Sequence, residues 1–140
     1  MTLKLHPIIF AALMAASAVL AEDRALVIGI DSYPSDAAPL PLQTAGKDAH
    51  DVADWLVRDM GFAQNAVTVL VDADATSDAI MAAMIDRLVG ETTAGDRVVF
   101  YFAGLGAQIV GPDGSNARAI LAYDSDTPLG RIPQSAIADV

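Results

Sequence analysis

Arg97-Val98-Val99-Phe100-Tyr101-Phe102 runs abruptly into Ala103-Gly104-Leu105-Gly106. It is the strongest strand signal in the chain: β-branched and aromatic residues without a polar interruption. The glycines that stop it mark the strand's carboxyl end, where open α/β sheets hold their ligands.

Working outward, Ala25-Leu-Val-Ile-Gly-Ile30 is a second such run, ending at Asp31, and Val67-Thr-Val-Leu-Val71 is a third, closed by Asp72-Ala-Asp74. A loop with Pro34, Pro39 and Pro41 follows the run at Ala25. Thr44 then stands at an N-cap position, Ala45, Ala49, Val52, Leu56 and Met60 recur at helical spacing, and Gly61 makes the stop. Thr76 caps the next helical pattern, in which Asp78 favours the first turn, Ile80, Met81, Met84, Ile85 and Leu88 share a face, and Gly90 ends it. Strand, helix, strand, helix, strand at these distances implies right-handed crossovers and a mostly parallel, doubly wound α/β sheet with helices on both faces.

Further on, Gly111-Pro-Asp-Gly114 reads as a tight turn, Ala119-Ile-Leu-Ala122 as a short strand-like run, Tyr123-Asp-Ser-Asp126 as a polar loop, and Ser135 to Val140 as the start of another helix. If the strand at Ala25 is central, the tips Asp31-Ser32 and Gly104 to Gly106 face each other across a crevice, with Asp72 to Asp74 as the third tip.

Composition narrows the chemistry. Residues 1–21 read as a secretory signal: Lys4, the apolar stretch Ile8 to Leu20, and Val19-Leu20-Ala21 ahead of Glu22. The apolar run falls short of the roughly 20 residues a spanning helix needs. Residues 22–140 are therefore expected as one exported domain, periplasmic or secreted and not membrane-bound after cleavage. Without Lys4 that domain has 7 basic against 18 acidic residues, a net charge of −11 that repels nucleic acid and anionic lipid. The chain contains no cysteine, which excludes disulfides, thiolate metal sites and a thiol nucleophile. Of its two histidines, His6 lies in the signal, so His50 is the one imidazole of the remaining domain.

The ordered segments carry a resemblance. Ala25 to Tyr33, Leu42 through Lys47-Asp48-Ala49, Met60-Gly-Phe62, Val67 to Leu70 with Asp72 and Ala75-Thr76, Asp96 to Phe102, and above all Phe102-Ala-Gly-Leu-Gly-Ala-Gln108 are similar to the large-subunit part of caspase- and metacaspase-like cysteine peptidases. The resemblance implies a caspase-like (Rossmann-like) three-layer sandwich, here truncated before the fourth core strand. In that family the last string reads small-Gly-His-Gly-small-Gln, and its histidine is the general base and acid of a Cys/His dyad. In this sequence the position is Leu105, and the nucleophile would fall beyond Val140. An aliphatic side chain accepts no proton, and without a thiolate no acyl-enzyme forms.

What the resemblance leaves is an oxyanion donor, the backbone N–H of Gly106, in a crevice of Gly104, Gly106, Asp31 and Ser32. Leu42 stands about where true caspases carry a basic residue, and its apolar character suits the metacaspase-like branch. The expected function is a peptidase-family domain without catalysis; the alternatives are a periplasmic peptide-binding or regulatory pseudoenzyme, or a fragment that self-associates or needs a complementing chain. The expected partner is a peptide or protein.

Bland readings compete at each position. His50 is expected to be solvated or in a capping role on its helix, Leu105 to plug the space of the missing imidazole, and Ser32 to lack a histidine partner. Asp72 and Asp74, or Asp113, Asn116, Asp124 and Asp126, offer oxygen ligands for calcium, but without regular calcium-loop spacing they are expected to be solvated loops. No cofactor or metal site is expected, and the Gly104-Leu-Gly106 pair is too short for a nucleotide-binding loop.

Overall fold

A computed structural model of the chain describes residues 22–34, 41–111, 113–126 and 128–138. The signal-peptide expectation for residues 1–21, Pro39 in the first loop and the last two residues of the expected C-terminal helix lie outside the described residues.

The sheet is organised by β1 (Arg24–Gly29), whose continuous apolar run is buried on both faces. It pairs in parallel with β2 (Val67–Val71) on one side and β3 (Val98–Ala103) on the other, giving the order β2-β1-β3. Alternation along β1 sends Leu26 and Ile28 to one core and Ala25 and Val27 to the other. The second core is closed by Ala49, Ala53 and Leu56 of α1 (Ala45–Arg58). The first is closed by Ile80 of α2 (Ser77–Ala82), by Met84 and Leu88 of the π-wound turn Ala83–Val89 that continues it, and by the flank of α3 (Gln134–Ala138). The sheet thus has helices on both faces, the three-layer α/β arrangement. Each fully buried aliphatic side chain of β1 contributes about 1.5–3 kcal/mol.

Gly29 sets how close α1 comes: a Cβ there would lie 2.2 Å from the Ala45 carbonyl oxygen and 2.8 Å from the Ala49 Cβ. At the opposite end, Arg97 ties the entrances of β1 and β3 together. Its guanidinium pairs with Asp23, donates to the Met60 carbonyl at 2.7 Å and lies 4.9 Å from the Phe62 ring centroid. The same ion pair holds the Asp23 carboxyl below its ordinary pKa.

Four expectations change. Thr44 is at the N-cap of α1, but its side chain makes no capping bond; a carboxylate from the β1 tip does that work, as described below. Met60 lies past the end of α1 and is exposed. The second helix does not stay α-helical: the Gly90 N–H reaches back five residues to the Ile85 carbonyl (2.8 Å), and Ile85, at the flank of the apolar stripe, is 53% exposed.

The fourth change is a second sheet. β4 (Gly106–Val110), β5 (Asn116–Leu121) and β6 (Arg131–Pro133) form an antiparallel sheet in that order. A turn in which Gly114 has φ 79° joins β4 to β5, the Gly111 N–H donating to the Ser115 carbonyl at 2.7 Å.

Candidate functional site

The three strand tips are brought together through main-chain bonds to their acidic and phenolic side chains. Asp31 aims its carboxylate at the start of α1, accepting from the Ala45 N–H (2.7 Å) and the Gly46 N–H (3.1 Å). It is the real cap of that helix, supplying an acceptor and negative charge where the first turn has unpaired donors. Asp72, in the left-handed region at φ 44°, accepts from the Asp31 N–H (2.8 Å) and the Ser32 N–H (3.0 Å) through one oxygen. The β2 tip therefore braces the β1 tip. Ser32 is exposed, and no imidazole faces it; His50 sits on α1 in a separate cleft with Asp54, Arg58 and Gln64 beside the outer edge of β2.

Tyr33 makes the link across the crevice. Its hydroxyl accepts from the Leu105 N–H at 2.9 Å and donates to the Leu121 carbonyl at 3.2 Å, while the Leu121 N–H donates to the Leu105 carbonyl at 2.9 Å. Burial pushes the phenol above its ordinary pKa; the bond from Leu105 opposes this and the nearby Asp72 charge adds to it. Gly104 belongs to the same arrangement, because a Cβ there would lie 2.7 Å from both Phe102 Cζ and the Tyr33 hydroxyl. Leu105, at the position of the expected base, is half-buried and hydrogen-bonded through both its main-chain groups.

Gly106 opens β4 and is exposed. It lies opposite Ile120, and the flanking bond from Leu121 N–H to the Leu105 carbonyl makes this a non-hydrogen-bonded pair. The Gly106 N–H consequently points away from β5, as an oxyanion or carbonyl donor requires. Asp31 and Ser32 lie on the β1 side of this crevice, but the Asp31 carboxylate is committed to α1.

Three of the acids considered as calcium ligands, Asp72, Asp113 and Asp124, also have main-chain partners. Asp72 is described above, Asp124 accepts from the Ser77 N–H at 2.8 Å, and Asp113 accepts from the Ser115 N–H at 3.0 Å and from its hydroxyl at 2.6 Å. Among the described residues no group of three or more His, Asp or Glu side chains is placed to hold a metal ion, and no helix is long and apolar enough to cross a membrane.

Two residues here escaped sequence reasoning. Tyr33 was visible only as the end of the strand-one string, with nothing to say what its hydroxyl reaches. Arg118, opposite Gln108 on the β4–β5 hairpin, lines a cleft of about 570 Å³ with Gln134, Phe100 and Ile137. The alternation Asn116-Ala-Arg118-Ala was the available signal, a strand with one polar face.

A family model described as metacaspase, peptidase C14 domain, matches residues 23–139. The crystal structure of protein GSU0716 from Geobacter sulfurreducens is similar with a TM-score of 0.67 at 21% identity, over 84% of this chain and 44% of that one. At that identity the likeness concerns the fold, and this chain spans less than half the length of that structure. None of the curated proteins matches the sequence.

Proposed function

Because the chain belongs to the metacaspase peptidase C14 domain family, we propose that it is a peptide-binding member of a peptidase family that holds extended peptide at the β1/β3 tips without cutting it. The observation that carries this reading is the state of position 105. The turn around it is fully built, with Tyr33 bridging Leu105 and Leu121 and Gly104 packed against Phe102, yet the side chain is isobutyl and the chain has no thiol. Proton abstraction and acyl transfer both lack their atoms. Gly106 keeps a main-chain donor directed out of its hairpin, enough to receive a substrate carbonyl but not to activate one.

The test combines binding and turnover. Fluorescently labelled peptides titrated into the 140-residue chain are expected to bind saturably, and mass spectrometry of the same mixtures after long incubation is expected to show intact peptide. Cleavage above the buffer rate would overturn the reading, and so would the absence of binding across the peptide set. Leu105→His is expected to leave turnover at background, since an imidazole without a thiol completes no dyad.

A further inference from the structure

We propose that the chain matures by hydrolysis of the Ala21–Glu22 bond, and that Asp96 receives the α-ammonium freed there, completing an ion-pair cluster at the entrance of the parallel sheet. This goes beyond the peptide-binding reading and does not rest on it. Two independent observations meet at Glu22.

The first is in the sequence. Val19-Leu20-Ala21 follows a short apolar stretch and ends in a small residue ahead of the exposed Glu22, the pattern a leader peptidase of an exporting cell cuts. Water adds across the bond: its oxygen completes the Ala21 carboxylate, and its two protons convert the Glu22 N–H into an ammonium.

The second is geometric. The Glu22 N–H donates to Asp96 Oδ1 at 2.7 Å. The other oxygen of that carboxylate accepts from the Thr93 N–H at 2.7 Å and from the Thr93 hydroxyl at 3.0 Å. The carboxylate is therefore fixed with one oxygen aimed at the nitrogen of residue 22. The Thr93 N–H foremost, with the Glu22 N–H, the Thr93 hydroxyl and the nearby Arg24 charge, holds Asp96 below its ordinary pKa and so ionised at neutral pH. An ammonium formed in that place needs no movement to bond, and it sets charge against charge where an amide offers only a dipole.

The charges around this corner are one cation short. Arg24, whose side chain is 13% exposed, pairs with Glu22 at 2.8 Å and with Glu91 at 2.6 Å. Arg87 reaches the same Glu91 at 3.7 Å, and Arg97 pairs with Asp23. Four carboxylates, Glu22, Asp23, Glu91 and Asp96, thus meet three guanidiniums, Arg24, Arg87 and Arg97. Among the described residues no Lys or Arg is paired with Asp96. The remaining wall, Gly61, Ala63, Asn65 and Ala66, carries no titratable group. An α-ammonium on Glu22 is the fourth cation, placed on the one acid of the four that lacks a partner of opposite charge. Its folded pKa then lies above the ordinary value of about 7.7–8.0. Its contribution to stability is whole below that range and is lost as pH rises through the folded value.

The experiment expresses the 140-residue chain in an exporting bacterium and makes the same chain unprocessed in a cell-free system. Intact mass and N-terminal sequencing are expected to show an exported product that begins at Glu22. Its α-amine, titrated through the pH dependence of its acetylation, is expected about half a unit higher in the folded product than in the same product denatured, and to lose that rise in Asp96→Asn. Asp96→Asn breaks the Thr93 bonds in both chains alike. It is therefore expected to lower the Tm of the exported product by about 2–3 °C more than that of the unprocessed chain at about pH 6.5, and by no more at about pH 10. An exported product that keeps residues 1–21 or starts at another residue overturns the inference. So does an α-amine that titrates as in the denatured chain, or an equal loss of Tm in both chains. None of these outcomes touches peptide binding, which stands or falls by its own titration.

Discussion

Removing the Asp31 carboxylate is the perturbation whose cost the structure sets most directly. Asp31→Ala strips the two acceptors that meet the Ala45 and Gly46 N–H groups at 2.7 and 3.1 Å, and the Thr44 side chain makes no capping bond to replace them. Loss of an N-cap costs about 1–2 kcal/mol, and loss of negative charge at a helix N-terminus a further 0.3–1 kcal/mol or so, giving about 1.3–3 kcal/mol in all. With an unfolding entropy of about 2.1 cal/mol/K per residue over a domain of roughly 120 residues, the expected fall in Tm is about 5–12 °C. Asp31→Asn keeps one acceptor and loses the charge, so it is expected to fall between the two. Thermal melts followed by far-UV circular dichroism, with chemical denaturation for ΔG, measure both. If Asp31→Ala melts within about 2 °C of the unmodified chain, well below what a lost cap costs, the carboxylate is not holding α1. It would then be free to meet a ligand in the crevice.

Tyr33→Phe removes the hydroxyl that bridges Leu105 and Leu121 and is expected to cost about 1–2 kcal/mol, read from denaturant midpoints; an unchanged midpoint would show that the bridge contributes nothing. Its raised pKa also gives a pH signature, because the folded chain holds the phenolic proton more tightly than the unfolded one. The Tyr33 contribution is therefore whole below the ordinary value of 10.0 and declines as pH rises through and beyond it, with a slope of at most about 1.4 kcal/mol per pH unit. The difference between unmodified and Tyr33→Phe stability should shrink over that window, and a difference that grows with pH would contradict the burial argument. Gly29→Ala puts a methyl 2.2 Å from the Ala45 carbonyl, a backbone atom that moves only if α1 lifts from the sheet, and is expected to cost about 3 kcal/mol or more. A urea midpoint equal to that of the unmodified chain would show that α1 is not seated on β1 as described.

The parallel sheet was legible in the sequence because its three strands are short, mainly apolar runs, with Thr68 the one polar residue inside β2. The central one, β1, is the run without interruption and the one that is buried on both faces, so its neighbours far along the chain need not be known. The β4–β5–β6 sheet was not legible. Gly106 to Val110 is small, mixed and half-exposed, and its strand character comes from pairing with Asn116–Leu121 rather than from local preference. The roles of the acids at the tips were hidden for a related reason. Asp31 and Asp72 look identical to solvated loop acids in sequence, and only their geometry, 14 and 41 residues from the N–H groups they serve, makes them braces. Thr44, by contrast, has the right type and position for a cap and loses that role to a residue whose charge also favours the helix start.

The same geometry explains how position 105 holds an aliphatic residue in an intact fold. Leu105 is tied in through its main chain: its N–H donates to the Tyr33 hydroxyl and its carbonyl accepts from the Leu121 N–H. Gly104, not Leu105, supplies the close approach to Phe102 and Tyr33. The turn's shape is thus set on either side of the side chain that would do chemistry, and exchanging an imidazole for an isobutyl group breaks none of the bonds that build it. Leu105→His is accordingly expected to be nearly neutral in stability although it restores a proton acceptor. Such decoupling makes the main-chain geometry of this crevice independent of which side chain stands at position 105.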